Sequence, residues 1–384
     1  MRSCRLVIVV CVLFGFASAQ PRCPQRCTCD YYATIHTINC DSQDMRQLPH
    51  DIPDWTTHVS FDGNFLTTLR LIGFNTSVYF EEFKFRYNAI TKLEISDENL
   101  VSKEGRKGGC NDVVTIFPRL KSVNLRGNKI HNLPKCLLFA WPMLKILILD
   151  QNRITRISEL NLASHLSHES SLQELSIMRN QIHRITSDLQ TPATSLRGLL
   201  YLNLGENIIS KIQTGVFMFL PKLRVVKLND NRLRIIPSYA FVTTGQMVRE
   251  IYLQRNRIEV IFILAFAGQP RLQTIDLRTN MIVCLNIMFT SCVQPDVRGT
   301  RFERRMRQSL TSRGGFGVEY SSLRGVRVGG NPWSCNCTLK PLMQNTSTNQ
   351  LVRSSMTSET CHNPPTMRQY DVITAIEQLH CDLT

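Results

Sequence analysis

The sequence predicts an α/β solenoid, in which similar units stack side by side and their parallel strands line one concave face. The first observation is a series of ten asparagines, most of them 24 to 28 residues apart: Asn64, Asn88, Asn128, Asn152, Asn180, Asn207, Asn231, Asn256, Asn280 and Asn331. The second is a frame of apolar residues eight, five and three positions before the asparagine and two after it, as in Leu199, Leu202, Leu204, Asn207 and Ile209. A frame repeated at 20–29 residues is typical of stacked solenoid units.

Each part of the unit has a physical role. Leu202 and Leu204 are two residues apart, so both point inward from one short strand. The asparagine then enters the interior at a turn, where its amide can bond unpaired backbone groups of its own and neighbouring coils. A single unit leaves its apolar face exposed, so units must stack. Phe217, Phe241 and Phe266 recur in the second half of three units, and we expect them to stack under the convex side.

Residues 1–19 are expected to be a secretory signal. A basic start leads into the apolar run Leu6–Phe16, and Ala17-Ser18-Ala19 forms a small-residue cleavage site. The run is short for a membrane span, and no other stretch reaches about 18 apolar residues. The sequence therefore predicts a secreted, extracellular chain with no membrane span. A gene model truncated before a downstream anchor remains the alternative.

Cysteines cluster at both ends of the repeat region, where a solenoid needs caps over its core. Cys23-Pro-Gln-Arg-Cys27-Thr-Cys29 and Cys40 come before the first repeat, and Asn331-Pro-Trp-Ser-Cys335-Asn-Cys337, Cys361 and Cys381 follow the last strand. With the repeat frame, these motifs resemble the extracellular leucine-rich-repeat proteins with cysteine-rich caps, such as Slit-type guidance proteins, Toll-type receptors and the variable lymphocyte receptors of jawless vertebrates.

The resemblance implies a horseshoe with a concave parallel sheet and disulfide-bonded end caps. It implies an N-terminal cap at 20–54, about ten repeats at 55–331 and a C-terminal cap at 332–384. It also implies four disulfides, Cys23–Cys29, Cys27–Cys40, Cys335–Cys361 and Cys337–Cys381.

Two long steps between asparagines mark insertions near 97–114 and 285–320. Four further cysteines, Cys110, Cys136, Cys284 and Cys292, lie in or beside them. Three pairings are open to four cysteines. We favour Cys110–Cys136 and Cys284–Cys292, because each pair is close in sequence and in the stack.

The formal net charge is +15. Nucleic acid is a poor partner for a secreted chain, so heparan-sulfate-like polyanions and acidic protein surfaces are the expected partners of this charge. The second insertion concentrates it, and the candidate glycan-binding residues are Arg298, Arg301, Arg304, Arg305 and Arg307. A solvated insertion with no partner is the alternative. Arg304-Arg305-Met306-Arg307 also matches a minimal site for proprotein cleavage.

Three asparagines begin N-glycosylation sequons: Asn75, Asn345 and Asn336. Asn75 and Asn345 are expected in surface segments. Asn336 stands between two cap cysteines, which should restrict access to it.

The sequence carries no catalytic constellation and no cofactor motif, so we expect a non-enzyme. Residues that alternate with the buried strand pair point outward from the concave sheet. The candidate protein-binding residues are the outward Ile146, Ile148, Met178, Tyr201, Val225, Lys227 and Tyr252, since apolar groups with a charged rim suit a protein contact. Scattered surface hydrophobes are the alternative.

Three functions fit such a chain. The first is an extracellular ligand, receptor or adhesion factor that engages a protein partner through its concave face. The second is a soluble innate-immune or antigen-recognition receptor. The third is an extracellular-matrix component that binds collagen or glycosaminoglycan.

Overall fold

The computed structural model describes residues 23–71, 79–94, 117–135, 137–162, 170–186, 196–262, 264–283, 322–336, 339, 343, 347–368 and 370–379. The expected signal at 1–19 and the insertions near 97–114 and 285–320 lie outside these residues. The described residues form a solenoid whose strands belong to one long sheet, as the repeat frame predicted.

The concave face is a sheet of 12 strands. In spatial order the strands are Thr28–Tyr32, Ile35–Asn39, His58–Ser60, Glu82–Lys84, Ser122–Asn124, Ile146–Ile148, Glu174–Ser176, Tyr201–Asn203, Val225–Lys227, Glu250–Tyr252, Thr274–Asp276 and Gly325–Arg327. The first two strands form an antiparallel hairpin, and each later strand pairs in parallel with its neighbour. Spatial order follows chain order, so each coil lies directly on the preceding one.

The convex side is built from shorter elements. Three pairs of strands lie there: Thr68–Arg70 with Lys92–Glu94, Arg184–Ile185 with Lys211–Ile212, and Ile235–Ile236 with Val260–Ile261. The α-helices among the described residues are Leu137–Ala140, Ser347–Ser354 and Val372–Gln378, and the 3-10 helices with described bounds are Ile157–Leu160 and Pro365–Met367.

The core runs along the solenoid between the two sides. The middle residue of each repeat strand points into it, and Leu175, Leu202 and Val226 stand in register on three neighbouring strands, each buried. The expected phenylalanine spine is present: the rings of Phe217 and Phe241 stack at 6.0 Å and those of Phe241 and Phe266 at 5.5 Å. Stacked aromatic rings bury a large apolar area and add a specific contact energy.

The asparagines are buried and tie the coils together. Asn207 Nδ2 donates to the carbonyl of Leu204 at 3.1 Å, in its own coil, and to that of Ile177 at 2.9 Å, in the preceding coil. Its Oδ1 accepts from the backbone N–H of Ile182 at 3.1 Å. All ten asparagines of the frame are buried, which confirms the interior role predicted for them.

Disulfides close both ends of the described solenoid. Cys23 is bonded to Cys29 and Cys27 to Cys40 beside the first hairpin, and Cys335 is bonded to Cys361 at the other end. These are three of the four cap pairs that the resemblance implies. The fourth, Cys337–Cys381, lies outside the described residues, as do Cys110, Cys136, Cys284 and Cys292.

The caps cover the ends of the core. Cys40 and Trp333 are fully buried in the same apolar cluster as the repeat leucines. Among the described residues, no helix has both the length and the apolar character that crossing a bilayer requires.

Candidate protein-binding face

The strand register sorts the outward side chains of the concave face into two rows. The row at the first strand position contains Ile146, Glu174, Tyr201, Val225 and Glu250, in that order across the sheet. The row at the third position contains Ile148, Ser176, Asn203, Lys227, Tyr252 and Asp276. The central part of the concave face can therefore be assigned position by position.

The seven candidate residues do not form one continuous patch. Ile146 and Ile148 share a strand, but Glu174 and Ser176 occupy the next strand and separate them from the aromatic residues. Met178 lies beyond the strand, at its C-terminal edge. The remaining four, Tyr201, Val225, Lys227 and Tyr252, occupy three adjacent strands and form what we call the tyrosine patch.

Lys227 lies between the two tyrosines of the patch. Its ammonium nitrogen is 5.1 Å from the ring centroid of Tyr201 and 5.6 Å from that of Tyr252. A cation this close to the face of an aromatic ring is attracted by the ring quadrupole. Within the described residues Lys227 has no carboxylate partner, so its ammonium holds both rings and still faces the concave solvent.

Tyr252 is also held from its hydroxyl end. Its O–H donates to a carboxylate oxygen of Glu250 at 2.6 Å. This hydrogen bond, aided by partial burial and by the negative charge of Glu250, raises the pKa of Tyr252 to about 12. Because ring and hydroxyl are both fixed, Tyr252 offers its remaining surface in one orientation.

Not every outward position of the concave strands is exposed. Strand alternation predicts that Asn203 faces solvent, but it is only 9% exposed, and Ser176 and Asp276 in the same row are buried as well. Asn203 Oδ1 accepts from the backbone N–H of Gly205 at 3.0 Å, and its Nδ2 lies 3.7 Å from the sulfur of Met178. Strand alternation gave the correct side of the sheet, but the short side chain folds back onto its own turn and Met178 covers it.

Next to Tyr252, on the C-terminal side of the patch, lies a cluster of ion pairs around Asp276 that the sequence did not predict. The carboxylate of Asp276 is fully buried, and its Oδ2 lies 2.6 Å from Arg278 Nη2 and 3.7 Å from Arg327 Nη1. The hydrogen bond that Arg278 donates to the Asp276 carboxylate raises the pKa of Arg278. Asp276 and Arg278 are two residues apart on one face of the chain, and that spacing was the available signal for the pair.

The other candidate sites are mostly outside the described residues. This applies to Arg298, Arg301, Arg304, Arg305 and Arg307, and to the sequon asparagines Asn75 and Asn345. Asn336 is described and exposed, and its Nδ2 donates to Ser334 Oγ at 3.1 Å. Exposure makes it more accessible than its place between cysteines suggested. The described part of the chain holds no cluster of three His, Cys, Asp or Glu side chains that could bind a metal ion.

Comparison with known proteins agrees with this architecture. Residues 170–233 match the family model described as "Leucine rich repeat". The chain is 27% identical over 227 residues to "Leucine-rich repeats and immunoglobulin-like domains protein 1" of Homo sapiens, covering 59% of this chain and 18% of that protein. It is 25% identical over 250 residues to "Podocan" of Mus musculus, covering 64% of this chain and 36% of that protein. The chain thus spans about a fifth to about a third of the length of these relatives.

The fold is also found among solved structures. A chain from the octameric complex of Latrophilin 3, Unc5D and FLRT2 superposes with a TM-score of 0.60 at 18% sequence identity. The superposition covers 93% of this chain and 98% of that chain. Together with the asparagine ladder and the disulfides at both ends, these similarities lead to one assignment. The chain is a leucine-rich-repeat protein with homology to extracellular leucine-rich-repeat proteins.

Proposed function

We propose that this chain is a secreted, non-catalytic binding module that engages an extracellular protein ligand or receptor through the tyrosine patch. The observation that carries the proposal is the position of Lys227 between Tyr201 and Tyr252. Two aromatic rings held on the coils either side of Lys227 supply large contact area at little further loss of side-chain freedom. Such preorganised aromatic residues are the usual energetic centres of protein interfaces.

The chemistry of the patch restricts the partner surface. The partner should present an apolar group that packs against Val225 and the tyrosine rings. An acidic group beside it would pair with the Lys227 ammonium, which has no carboxylate partner among the described residues. The similarity to a chain of the Latrophilin 3, Unc5D and FLRT2 complex and to relatives with leucine-rich repeats supports a binding role over an enzymatic one.

The test uses the secreted chain as bait to capture a partner, followed by titration of purified variants against it. Tyr201→Ala and Tyr252→Ala should each weaken binding by about 30-fold, the equivalent of about 2 kcal/mol for a central aromatic residue. Val225→Glu should do the same, because it places an unpaired charge at the centre of the contact. All three should secrete and melt nearly as wild type, since these side chains lie on the solvent side of the sheet.

Lys211→Ala is the matched control. Lys211 is exposed on a convex strand, Lys211–Ile212, so its loss should leave the affinity unchanged. If the three concave variants bind normally while a variant in a cap or in the 285–320 insertion loses binding, the concave face is only a scaffold and the proposal fails.

A further inference from the structure

A row of basic side chains follows the edge of the concave sheet at which the strands begin. The residue immediately before each of the eight strands from Ser122–Asn124 to Gly325–Arg327 lies on this edge, and five of these eight residues are basic. In spatial order the eight are Lys121, Lys145, Gln173, Leu200, Arg224, Arg249, Gln273 and Arg324. Their backbones are hydrogen-bonded in sequence. Lys145 N donates to Lys121 O at 2.8 Å, Arg249 N to Arg224 O at 2.7 Å, and Arg324 N to Gln273 O at 2.9 Å. We call this row the basic edge.

The edge is wider than one row. Three more exposed basic residues, Arg119, Lys222 and Arg271, stand two residues before Lys121, Arg224 and Gln273. Acidic residues are few there. Glu81 pairs with Lys121 at 2.8 Å, and Glu250, one position inward, is engaged by the Tyr252 hydroxyl. Glu174 is the remaining acidic residue at the inward position between Lys145 and Arg324.

The placement of Arg224 and Arg249 is electrostatically unfavourable in the isolated chain. Their backbones are directly bonded, and like charges on neighbouring strands repel. Within the described residues neither guanidinium has a carboxylate within salt-bridge distance, and the same is true of Lys145 and Arg324. Four cations are therefore left available along one line.

The opposite edge of the same sheet is arranged differently. There some basic residues have acidic partners on a neighbouring coil: Arg179 pairs with Glu206, and Arg255 with Asp230. Lys129, Arg153, Arg232 and Arg257, each one residue beyond a ladder asparagine on that side, have no carboxylate within salt-bridge distance among the described residues. The two edges therefore differ in the acidic residues that accompany the cations: the opposite edge contains ion pairs across neighbouring coils, whereas Arg224 and Arg249 lie side by side on the basic edge.

We propose that the basic edge binds sulfated glycan chains. Neighbouring strands are about 4.8 Å apart, which is shorter than the roughly 8 Å over which salt screens charges at physiological ionic strength. Arg224 and Arg249, on neighbouring strands, therefore act together on a linear polyanion that lies across the strands, and Lys145 and Arg324 extend its contact farther along the edge. The proposal is independent of the tyrosine patch and of the 285–320 insertion.

A sulfated glycan fits the edge better than a single-stranded nucleic acid. Proteins that bind single strands combine a basic groove with aromatic side chains on which bases stack. The row from Lys121 to Arg324 contains Lys, Gln, Leu and Arg and no aromatic residue. The rings nearest to the row, Tyr79 and Tyr201, are each engaged by a cation, Arg119 and Lys227 respectively. A row made mainly of flexible cationic side chains suits a chain whose recognisable groups are its sulfates.

The experiment compares two quadruple variants of the full chain. The edge variant carries Lys145→Ser, Arg224→Ser, Arg249→Ser and Arg324→Ser. The control carries Lys129→Ser, Arg153→Ser, Arg232→Ser and Arg257→Ser, four exposed residues that each follow a ladder asparagine on the opposite edge. Each variant loses one lysine and three arginines, so net charge and composition change equally.

Affinity is measured for a heparin oligosaccharide at several salt concentrations. The edge variant should bind roughly tenfold or more weakly than wild type and show a shallower salt dependence, because fewer counterions are exchanged on binding. The control should change less than about twofold. If the edge variant does not fold, the double variant Arg224→Ser with Arg324→Ser, both exposed, replaces it, and an intermediate loss is expected.

Three results would overturn the proposal. Equal weakening of edge variant and control would make the interaction a property of net charge. Unchanged heparin affinity in the edge variant would place any glycan site elsewhere. Equal or tighter binding of a single-stranded RNA of matched charge, lost in the same edge variant, would make nucleic acid the ligand class.

Discussion

Tyr252 donates its phenolic hydrogen to the carboxylate of Glu250 at 2.6 Å. The two residues lie two positions apart on one strand, so both point to the concave solvent. The bond fixes the tyrosine ring that also contacts Lys227. The orientation of the Tyr252 ring on the candidate binding face therefore depends on an ionisable hydroxyl. The titration of that hydroxyl can be measured without knowledge of the partner.

The first prediction concerns the titration of this tyrosine. An ordinary tyrosine has a pKa near 10, whereas that of Tyr252 is about 12, chiefly because its phenolate would lose the hydrogen bond to Glu250. Glu250→Gln should lower the pKa towards the ordinary value. The phenolate absorbance that disappears in Tyr252→Phe reports on this residue alone, and a pKa unchanged by Glu250→Gln would contradict the assignment.

The sign of the linked stability follows from the same shift. The pKa of Tyr252 is raised in the folded state, so its contribution is complete below about pH 10 and is lost as the pH rises towards about 12. Tyr252→Phe should therefore show a weaker decline in melting temperature over this interval than wild type. Glu259→Gln, which removes a carboxylate on the convex side, is the control. It should leave the decline in melting temperature between about pH 10 and about pH 12 as in wild type.

The second prediction concerns the asparagine ladder. Asn207→Leu should destabilise the chain by about 2–4 kcal/mol, because the backbone groups of Ile177, Leu204 and Ile182 lose their partner inside the core. Asn229→Leu is the matched control: Asn229 is half-buried, and the one hydrogen bond of its side chain in the described contacts goes to the neighbouring Asp230 carboxylate. Equal shifts of the melting temperature in Asn207→Leu and Asn229→Leu would show that the buried asparagines do not stabilise the core as argued.

The third prediction concerns the C-terminal cap. Cys335→Ser should leave Cys361 unpaired beside the buried Trp333. Loss of a native disulfide commonly costs about 2–5 kcal/mol, which should reduce the secreted yield and the melting temperature together. The exposed neighbour change Asn336→Gln should leave the melting temperature near that of wild type. Normal secretion and melting of Cys335→Ser would show that this bond does not secure the cap.

The fourth prediction concerns a close approach between two turns. A Cβ added at Gly245 would lie 1.8 Å from the carbonyl oxygen of Pro221. Backbone atoms must move to relieve that overlap, so Gly245→Ala should cost about 1–3 kcal/mol or more. Gly325→Ala is the control, because its added Cβ would meet only Thr274 Oγ1 at 3.9 Å. Chemical denaturation measures both, and similar midpoints would contradict the contact.

The fifth prediction concerns the arginine-rich insertion. Arg301, Arg304, Arg305 and Arg307 lie outside the described residues, and their glycan binding remains a prediction from the sequence. Replacing all four with serine should move heparin elution to lower salt, because exposed charges interact through screened electrostatics. Combined with the edge variant, the shifts should add if the two regions bind separately. An unshifted elution profile would assign the insertion charges to solubility alone.

The sequence by itself determined the architecture. Its apolar frame and its buried asparagines specify stacked coils, because a period near 24 residues with a fixed turn amide leaves little choice of packing. The phenylalanine spine followed from the same periodicity. Strand alternation also placed Tyr201, Val225 and Tyr252 on the concave side.

Only the tertiary structure decided which outward residues meet. The register between strands separates Ile146 from the tyrosines by Glu174, places Lys227 between two rings, and aligns Arg224 with Arg249. Local sequence specifies the side of a strand on which a residue lies. Contact across coils depends on loop lengths and on how short side chains such as Asn203 fold back. Both are set by the neighbouring coils in the stack, which are distant in the local sequence.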